Sequence, residues 1–226
     1  MTRLNMFRNP LRRWLEGSQY RPTVMVKELA ERDRRRMLKH FIALEKADRL
    51  LRFGSYLGDE QVAKYVQGID FSRDMVFGVY NRVFKLVAVG HLAFAPREAK
   101  KSATEKERVA EFGVSVSKSA RGLGIGSKLF ERAAIHCRNN DVDTLYMHCL
   151  SSNQTMMHIA KKAGMQIHRD YGEADAYLKL EVANPASMLQ EAVEEQVATL
   201  DYAIKANTRA AIKWFDKLPG RKKPDQ

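Results

Sequence analysis

The chain has 226 residues, 45% of them hydrophobic and 29% charged, enough apolar material for one large domain with arms and an argument against wholesale disorder, a collagen-like fibre or a bundle of membrane spans. No apolar run approaches the roughly 20 residues that cross a bilayer, and only two cysteines, Cys137 and Cys149, occur; they are too few for a disulfide framework and at no zinc-ligand spacing, so a reducing, cytoplasmic setting without a bound metal is expected. The net charge of +12 admits anionic partners, and half of it falls in the first 36 residues, where ten Lys/Arg face four acids.

Residues 1–22 read as a basic arm, with Phe7, Leu11, Trp14 and Leu15 at roughly helical spacing before Pro22. An Arg-rich amphipathic start suits a transit peptide or a membrane-surface helix, or else an extension packed on its own domain or on a partner. Residues 23–183 read as one α/β domain. A β-favouring run, Thr23 to Val26, precedes a helix from Glu31 to Leu44, with Met37, Leu38, Phe41, Ile42 and Leu44 as its apolar stripe and the arginines of residues 32–36 as a solvated face. Gly58 to Gly68 is a second short helix. Met75 to Tyr80 and Val83 to Phe94 flank a polar corner and predict a hairpin. After a charged loop, Pro96 to Arg108, the pattern alternates: strand Val109 to Val116, helix Gly126 to Asn139, strand Thr144 to Leu150, helix Asn153 to Ala163, then strands near Met165 to His168 and Ala174 to Val182. Such alternation implies βαβ crossovers and a partly parallel sheet with helices on both faces.

Residues 184–226 form a third segment. The spacing predicts a helix from Ala186 to Phe215, about 45 Å long, with Leu189, Val193, Val197, Leu200, Ile204, Ala211 and Trp214 on one stripe. That stripe needs cover, either across the domain or from its copy in a homodimer. A polar tail, Pro219 to Gln226, ends the chain.

One turn stands out chemically. Between a strand and a helix the chain reads Ala120-Arg121-Gly122-Leu123-Gly124-Ile125-Gly126, which is neither a dinucleotide fingerprint nor a nucleotide P-loop. Glycines let the backbone turn tightly against a ligand, the helix N-terminus beyond offers free amides to a pyrophosphate, and Arg121 adds a charge-assisted donor.

With this turn the chain resembles the N-acetyltransferases of the GNAT superfamily, whose coenzyme A loop reads Arg/Gln-x-x-Gly-x-Gly/Ala and is matched by Arg121, Gly124 and Gly126. Asn153, followed by Ala160-Lys-Lys-Ala-Gly164-Met165, is similar to the family's Asn…Lys-x-Gly-Phe helix ending. Arg49-Leu-Leu-Arg-Phe-Gly54, Ile69-Asp70, Ala110-Glu111 and Leu150-Ser-Ser-Asn153-x-x-Met156 resemble segments of bacterial protein-lysine acetyltransferases. The resemblance spans residues 24–182. It implies a mixed central sheet of six to seven strands flanked by helices. It also implies acetyl-CoA held by Val114, Ser115 and Val116, by the loop Arg121, Gly122, Leu123, Gly124, Ile125 and Gly126, and by Asn153.

The implied reaction is direct acetyl transfer to a primary amine, a protein lysine in the bacterial protein-lysine acetyltransferases it resembles. Glu111, the lone acid of its strand, stands where those relatives place their general base, and a backbone N–H at Ser115 or Val116 would form the oxyanion hole. The family's thiolate-protonating tyrosine is replaced by Ala160, leaving water, Ser151, His158 or Cys149 for that step. Cys137 falls in line with Ile125, Leu129 and Ala133 and reads as core; His148 and Cys149 point to opposite faces; His91 reads as a satisfied core or edge histidine. Two other classes stay open: a small-molecule amine (polyamine, amino acid or aminoglycoside) acetyltransferase, and a non-catalytic acyl-CoA sensor or scaffold. Nucleic acid is disfavoured, because no aromatic residues interleave with the basic ones outside the arm.

Overall fold

The computed structural model describes residues 24–94 and 108–215. The basic arm, the polar tail and nearly all of the charged loop expected from Pro96 to Arg108 lie outside the described residues. Within them the chain runs β1 (Lys27–Glu28), a 3-10 turn (Glu31–Asp33), α1 (Arg34–Ile42), α2 (Lys46–Phe53), α3 (Asp59–Gly68), β2 (Met75–Tyr80), β3 (Leu86–Phe94), β4 (Val109–Val116), a 3-10 turn (Lys118–Ala120), α4 (Ile125–Asn139), β5 (Thr144–Leu150), α5 (Gln154–Lys162), β6 (Gln166–Asp170), β7 (Glu173–Lys179) and α6 (Pro185–Phe215).

Seven strands form one sheet in the order β1-β2-β3-β4-β5-β7-β6. Only β4 and β5 are parallel, the others pairing antiparallel. Two cores flank the sheet. Phe112, Leu129, Ala133, Cys137, Leu145, Met157 and Ile159 fill the one beneath α4 and α5, and Met37, Phe41, Val62, Val66, Val76 and Val89 fill the one beneath α1 and α3. Among the described residues no helix is long and apolar enough to cross a membrane.

Helix α2 is absent from the expectations, and its physics explains why. It has only eight residues, short of the roughly 10–12 over which a helical period can be told from a strand or loop, and it buries none completely; what ends the helix is Gly54 at φ +71°, a left-handed cap open to glycine. Among the arginines of residues 32–36, Arg32 and Arg35 are exposed as expected, whereas Arg34 and Arg36 depart from a solvated face. Arg34 donates to the carbonyls of Val66 and Ile69 at the end of α3 and pairs with Glu31, and Arg36 pairs with the buried Asp33.

Of the two ways left open for covering its apolar stripe, helix α6 does not take the one across its own domain. It lies across the domain on α4 and β1, and the face it buries is polar. Arg132 on α4 is 1% exposed, and a buried guanidinium is tolerable only when paired. Glu191 supplies one carboxylate, accepting from Arg132 at 2.7 Å, from Asn139 at 2.6 Å and lying 2.7 Å from His136 Nδ1. Glu195 adds a second at 3.6 Å and also pairs with Lys27 on β1. Desolvation works against the Glu191 charge, yet its hydrogen bonds to His136, Asn139 and Arg132 win and hold its pKa at about 2. Ala198 and Tyr202 complete the contact, the tyrosine against Tyr80 and Phe84. Leu189, Val193, Leu200 and Ile204 consequently face outward, 52–66% exposed.

Candidate functional site

The gap beside β4 is set by strand pairing. β4 and β5 are in register only over Val109↔Thr144, Ala110↔Leu145 and Glu111↔Tyr146, after which β4 runs on to Val116 with β3 alone as partner. In an antiparallel ladder directly opposed residues alternate between pairs that exchange hydrogen bonds and pairs whose amides point away. Ser117 N–H donates to Val87 C=O at 2.8 Å, which fixes the phase: Ser115 and Gly113 are likewise committed to Val89 and His91 on β3. The amides of Val114 and Val116 point into the gap. Of the two amides expected as oxyanion donors, that of Val116 faces the gap and that of Ser115 is directed to β3.

The glycine loop closes the far end of this gap. Gly122 and Gly124 have φ of +77° and +74°, a region that penalises every side chain with a Cβ. Gly124 is the N-cap of α4 and no side chain caps its first turn, so amides there lack intrahelical partners and the positive end of the helix dipole is open. At Gly126 a Cβ would stand 3.1 Å from Ile159, so glycine here permits close packing of α4 on α5.

Gap and loop share a cleft of about 450 Å³, within the usual range for small-molecule sites. It is lined by Val114, Ser115, Val116, Arg121, Gly122, Gly124, Ile125, Gly126 and Asn153, nine of the ten residues expected to hold the cofactor. Leu123 is the exception, half exposed at the tip of the loop. Arg121 does not stand free: its Nη2 lies 2.6 Å from Asp48 on α2. The Asn153 side chain is also engaged, Oδ1 accepting from Met156 N–H at 3.1 Å as the N-cap of α5 and Nδ2 donating to Leu51 C=O at 3.2 Å. Asn153 thereby ties α5 to α2 at the cleft wall. Gap-facing amides, an open helix terminus and a volume of this size fit a pantetheine arm leading to a pyrophosphate.

Glu111 projects from the opposite edge of the gap. It is exposed, and no hydrogen bond or ion pair joins its carboxylate to a described residue. Its register partner Tyr146 donates to Asp175 Oδ1 at 2.5 Å, and His148 Nδ1 lies 2.8 Å from the same oxygen. Those hydrogen bonds, first from Tyr146 and then from His148, pull the Asp175 pKa down, while burial and the nearby Asp175 push that of Tyr146 up. Glu111, Tyr146, His148, Asp175 and Tyr177 thus share an open sheet face, three of them (Tyr146, Asp175 and Tyr177) unremarked in the sequence because residues 146–148 and 175–177 meet only through the β5–β7 register.

On the α-helical side of the gap lies a second polar chain. Arg52 Nη2 donates to Tyr65 Oη at 2.7 Å, Tyr65 Oη lies 2.8 Å from His91 Nδ1, and His91 Nε2 lies 3.2 Å from Asp74. Burial, then the Arg52 charge, lowers the His91 pKa, so the ring is neutral: Tyr65 donates to Nδ1 and Nε2–H donates to Asp74. His91 is therefore satisfied, as expected. His40 Nε2 approaches Ser115 Oγ at 2.8 Å behind the cleft.

Ala160 is buried in the core. Of the expected alternatives for protonating a leaving thiolate, His158 lines the cleft whereas Ser151 and Cys149 do not. Burial raises the pKa of both cysteines, that of Cys137 to about 12, as befits core thiols. Among the described residues no group of three or more His, Cys, Asp and Glu could hold a metal.

Comparison with known proteins bears on this geometry. Residues 55–165 match the family model described as the acetyltransferase (GNAT) family. The fold is similar to that of the GNAT domain of S. lividans PAT (17% identity, 70% of this chain and 90% of that one, TM-score 0.57). It is also similar to RimL, a ribosomal-protein α-N-acetyltransferase in complex with coenzyme A (15%, 72% and 97%, 0.53), and to spermidine N-acetyltransferase from Vibrio cholerae in complex with coenzyme A and spermine (15%, 69% and 95%, 0.52). The seven-stranded mixed sheet is the GNAT fold.

Proposed function

We propose that this chain, which carries a domain of the acetyltransferase (GNAT) family, transfers the acetyl group of acetyl-CoA to a protein lysine with Glu111 as general base. The observation that carries the reading is the parting of β4 from β5 beside Glu111, above a cleft that ends at the glycine loop. Acetyl-CoA supplies an activated acyl group as a thioester. The amides of residues 122–127 and the open end of α4 would hold the pyrophosphate, and the wall from Val114 to Val116 would hold the arm.

The residues divide the remaining work. The Val116 amide is aimed at the negative charge that gathers on the carbonyl oxygen, with Val114 beside it, and a preorganised donor of this kind costs no reorganisation when the charge develops. A lysine with pKa near 10.4 arrives protonated, so its proton must leave before attack, to Glu111 directly or through water. Glu111 suits that role because it is ionisable, unpaired and open to the acceptor side.

Openness also favours a macromolecular acceptor. The face around Tyr146, His148 and Tyr177 has no roof among the described residues, so a lysine on a protein surface can reach Glu111. A polyamine is the second reading, supported by carboxylates that converge there, Glu111, Glu173 and Asp175, next to two tyrosine rings. We further propose that the outward stripe of α6 seats a second copy of this chain. From Met188 to Ile212 every charged side chain is engaged with the helix's own domain or neighbour, including Glu194 with Lys128 and Lys205 with Asp201. The remaining face is uncharged and, under twofold symmetry, complementary to itself.

The experiment is transfer of labelled acetyl from acetyl-CoA to lysate proteins and to polyamines by the native chain and by Glu111→Gln. Transfer by the variant should fall about 100-fold or more, with calorimetric affinity for acetyl-CoA unchanged. Full turnover in the variant removes Glu111 from the base role.

A further inference from the structure

Arg52 is an unusual cation for a cleft wall. It lines the cleft with Ser115, Leu51 and Leu44, yet among the described residues no carboxylate lies within ion-pairing distance of it. The nearest acid on its own helix, Asp48, is taken by Arg121. Its Nε is buried and has no hydrogen-bond partner. One Nη bonds Tyr65, and the guanidinium stands 5.0 Å from the Phe53 ring centroid and 5.4 Å from that of Tyr65.

The backbone is cut away to admit this group. At Gly113 on β4 a Cβ would fall 2.7 Å from Arg52 Cζ and 2.8 Å from both terminal nitrogens, so any other residue would displace the fork. Gly113 has an ordinary strand register opposite His91, so what glycine supplies here is space for the guanidinium rather than relief of backbone strain. Through Tyr65 and the neutral His91, whose other nitrogen is tied to Asp74, the orientation of the fork is fixed from behind. A rigid, stacked guanidinium with an unused donor is built for a planar anion.

Position decides which anion. Gly113 lies four residues before Ser117, about 13 Å along the strand from the end that leads into the glycine loop, so the pyrophosphate site is remote. Arg52 stands at the acyl end, on the strand face that carries Glu111 and Ser115. We infer that Arg52 is a carboxylate-binding subsite, reading a carboxylate carried either by the acyl chain of the donor, as in succinyl-CoA, or by the amine acceptor, as in a free amino acid. The inference rests on the reading that this cleft holds an acyl-CoA.

The test measures ratios. Calorimetry compares succinyl-CoA with acetyl-CoA, and transfer kinetics compare leucine with leucinamide as acceptors, in the native chain, Arg52→Met and Arg52→Lys. A native preference for the carboxylate-bearing partner of about tenfold or more in one arm, lost in Arg52→Met and partly kept in Arg52→Lys, is the expected result, and the arm in which it shows identifies the source. Equal ratios in the native chain, or a preference that survives Arg52→Met, overturns the subsite. So does an equal fall in kcat for every donor and acceptor. Should Arg52→Met not fold, Arg52→Lys decides alone, since a point charge cannot reproduce the bidentate fork. Native protein that binds neither acyl-CoA refutes the cleft reading itself, and is told apart because no ratio can then be formed.

Discussion

His40 lies 2% exposed behind Ser115, and burial holds its pKa at about 4 against an ordinary 6.5. It is neutral when folded at any pH above that value. The sign of the consequence is fixed: below pH 6.5 the unfolded chain takes up a proton that the folded one refuses, so stability is full above 6.5 and is lost as pH falls toward 4. The loss should reach about 3 kcal/mol. Replacing His40 by Gln should flatten the dependence of unfolding free energy on pH across that window, measured by urea denaturation; an unchanged slope would locate the acid sensitivity elsewhere. Residue 40 was legible only as a position within the helix Glu31 to Leu44, because nothing local reports that Ser115, 75 positions away, stands against its ring.

Among the elements, α4 had the clearest signature. Its apolar residues Ile125, Leu129, Ala133 and Cys137 recur every fourth position and all are buried, and its glycine-rich entry is contiguous in sequence. What the loop needs is conformational: nothing lies within 4 Å of a Cβ built on Gly124, so the cost of a side chain there is the left-handed backbone alone, about 1–2 kcal/mol. Gly124→Val should therefore leave a folded chain whose far-ultraviolet spectrum is native, while acetyl-CoA affinity drops at least tenfold. Native affinity in that variant would detach the loop from the ligand. Helix α2 is the converse case, too short for its period to stand out in the sequence yet carrying Asp48, Arg49 and Arg52. Arg49 donates to the Ile42, Leu44 and Leu57 carbonyls and pairs with Asp59, so it braces the helices, whereas Arg52, three residues on, faces the cleft.

At the scale of the molecule, α6 turns its charges toward its own domain and its apolar stripe toward solvent. If that stripe seats a second copy, Leu200→Glu with Ile204→Glu should halve the mass found by light scattering while leaving thermal stability nearly unchanged, since neither side chain touches the core. A native chain that is monomeric at all concentrations would dismiss the dimer. Sequence by itself determined the alternation of strands and helices, the glycine turn, the lone acid of β4 and the reach of the last helix, because each depends on contacts within a few residues or on a fixed period. Tertiary structure alone decided that β4 and β5 part after three pairs, that Val116 rather than Ser115 points its amide into the gap, that Tyr146 and Asp175 stand beside Glu111, and that α6 buries glutamates to satisfy Arg132. Those outcomes turn on strand register and on the need to pair a desolvated charge, and both are set by residues far apart in the chain.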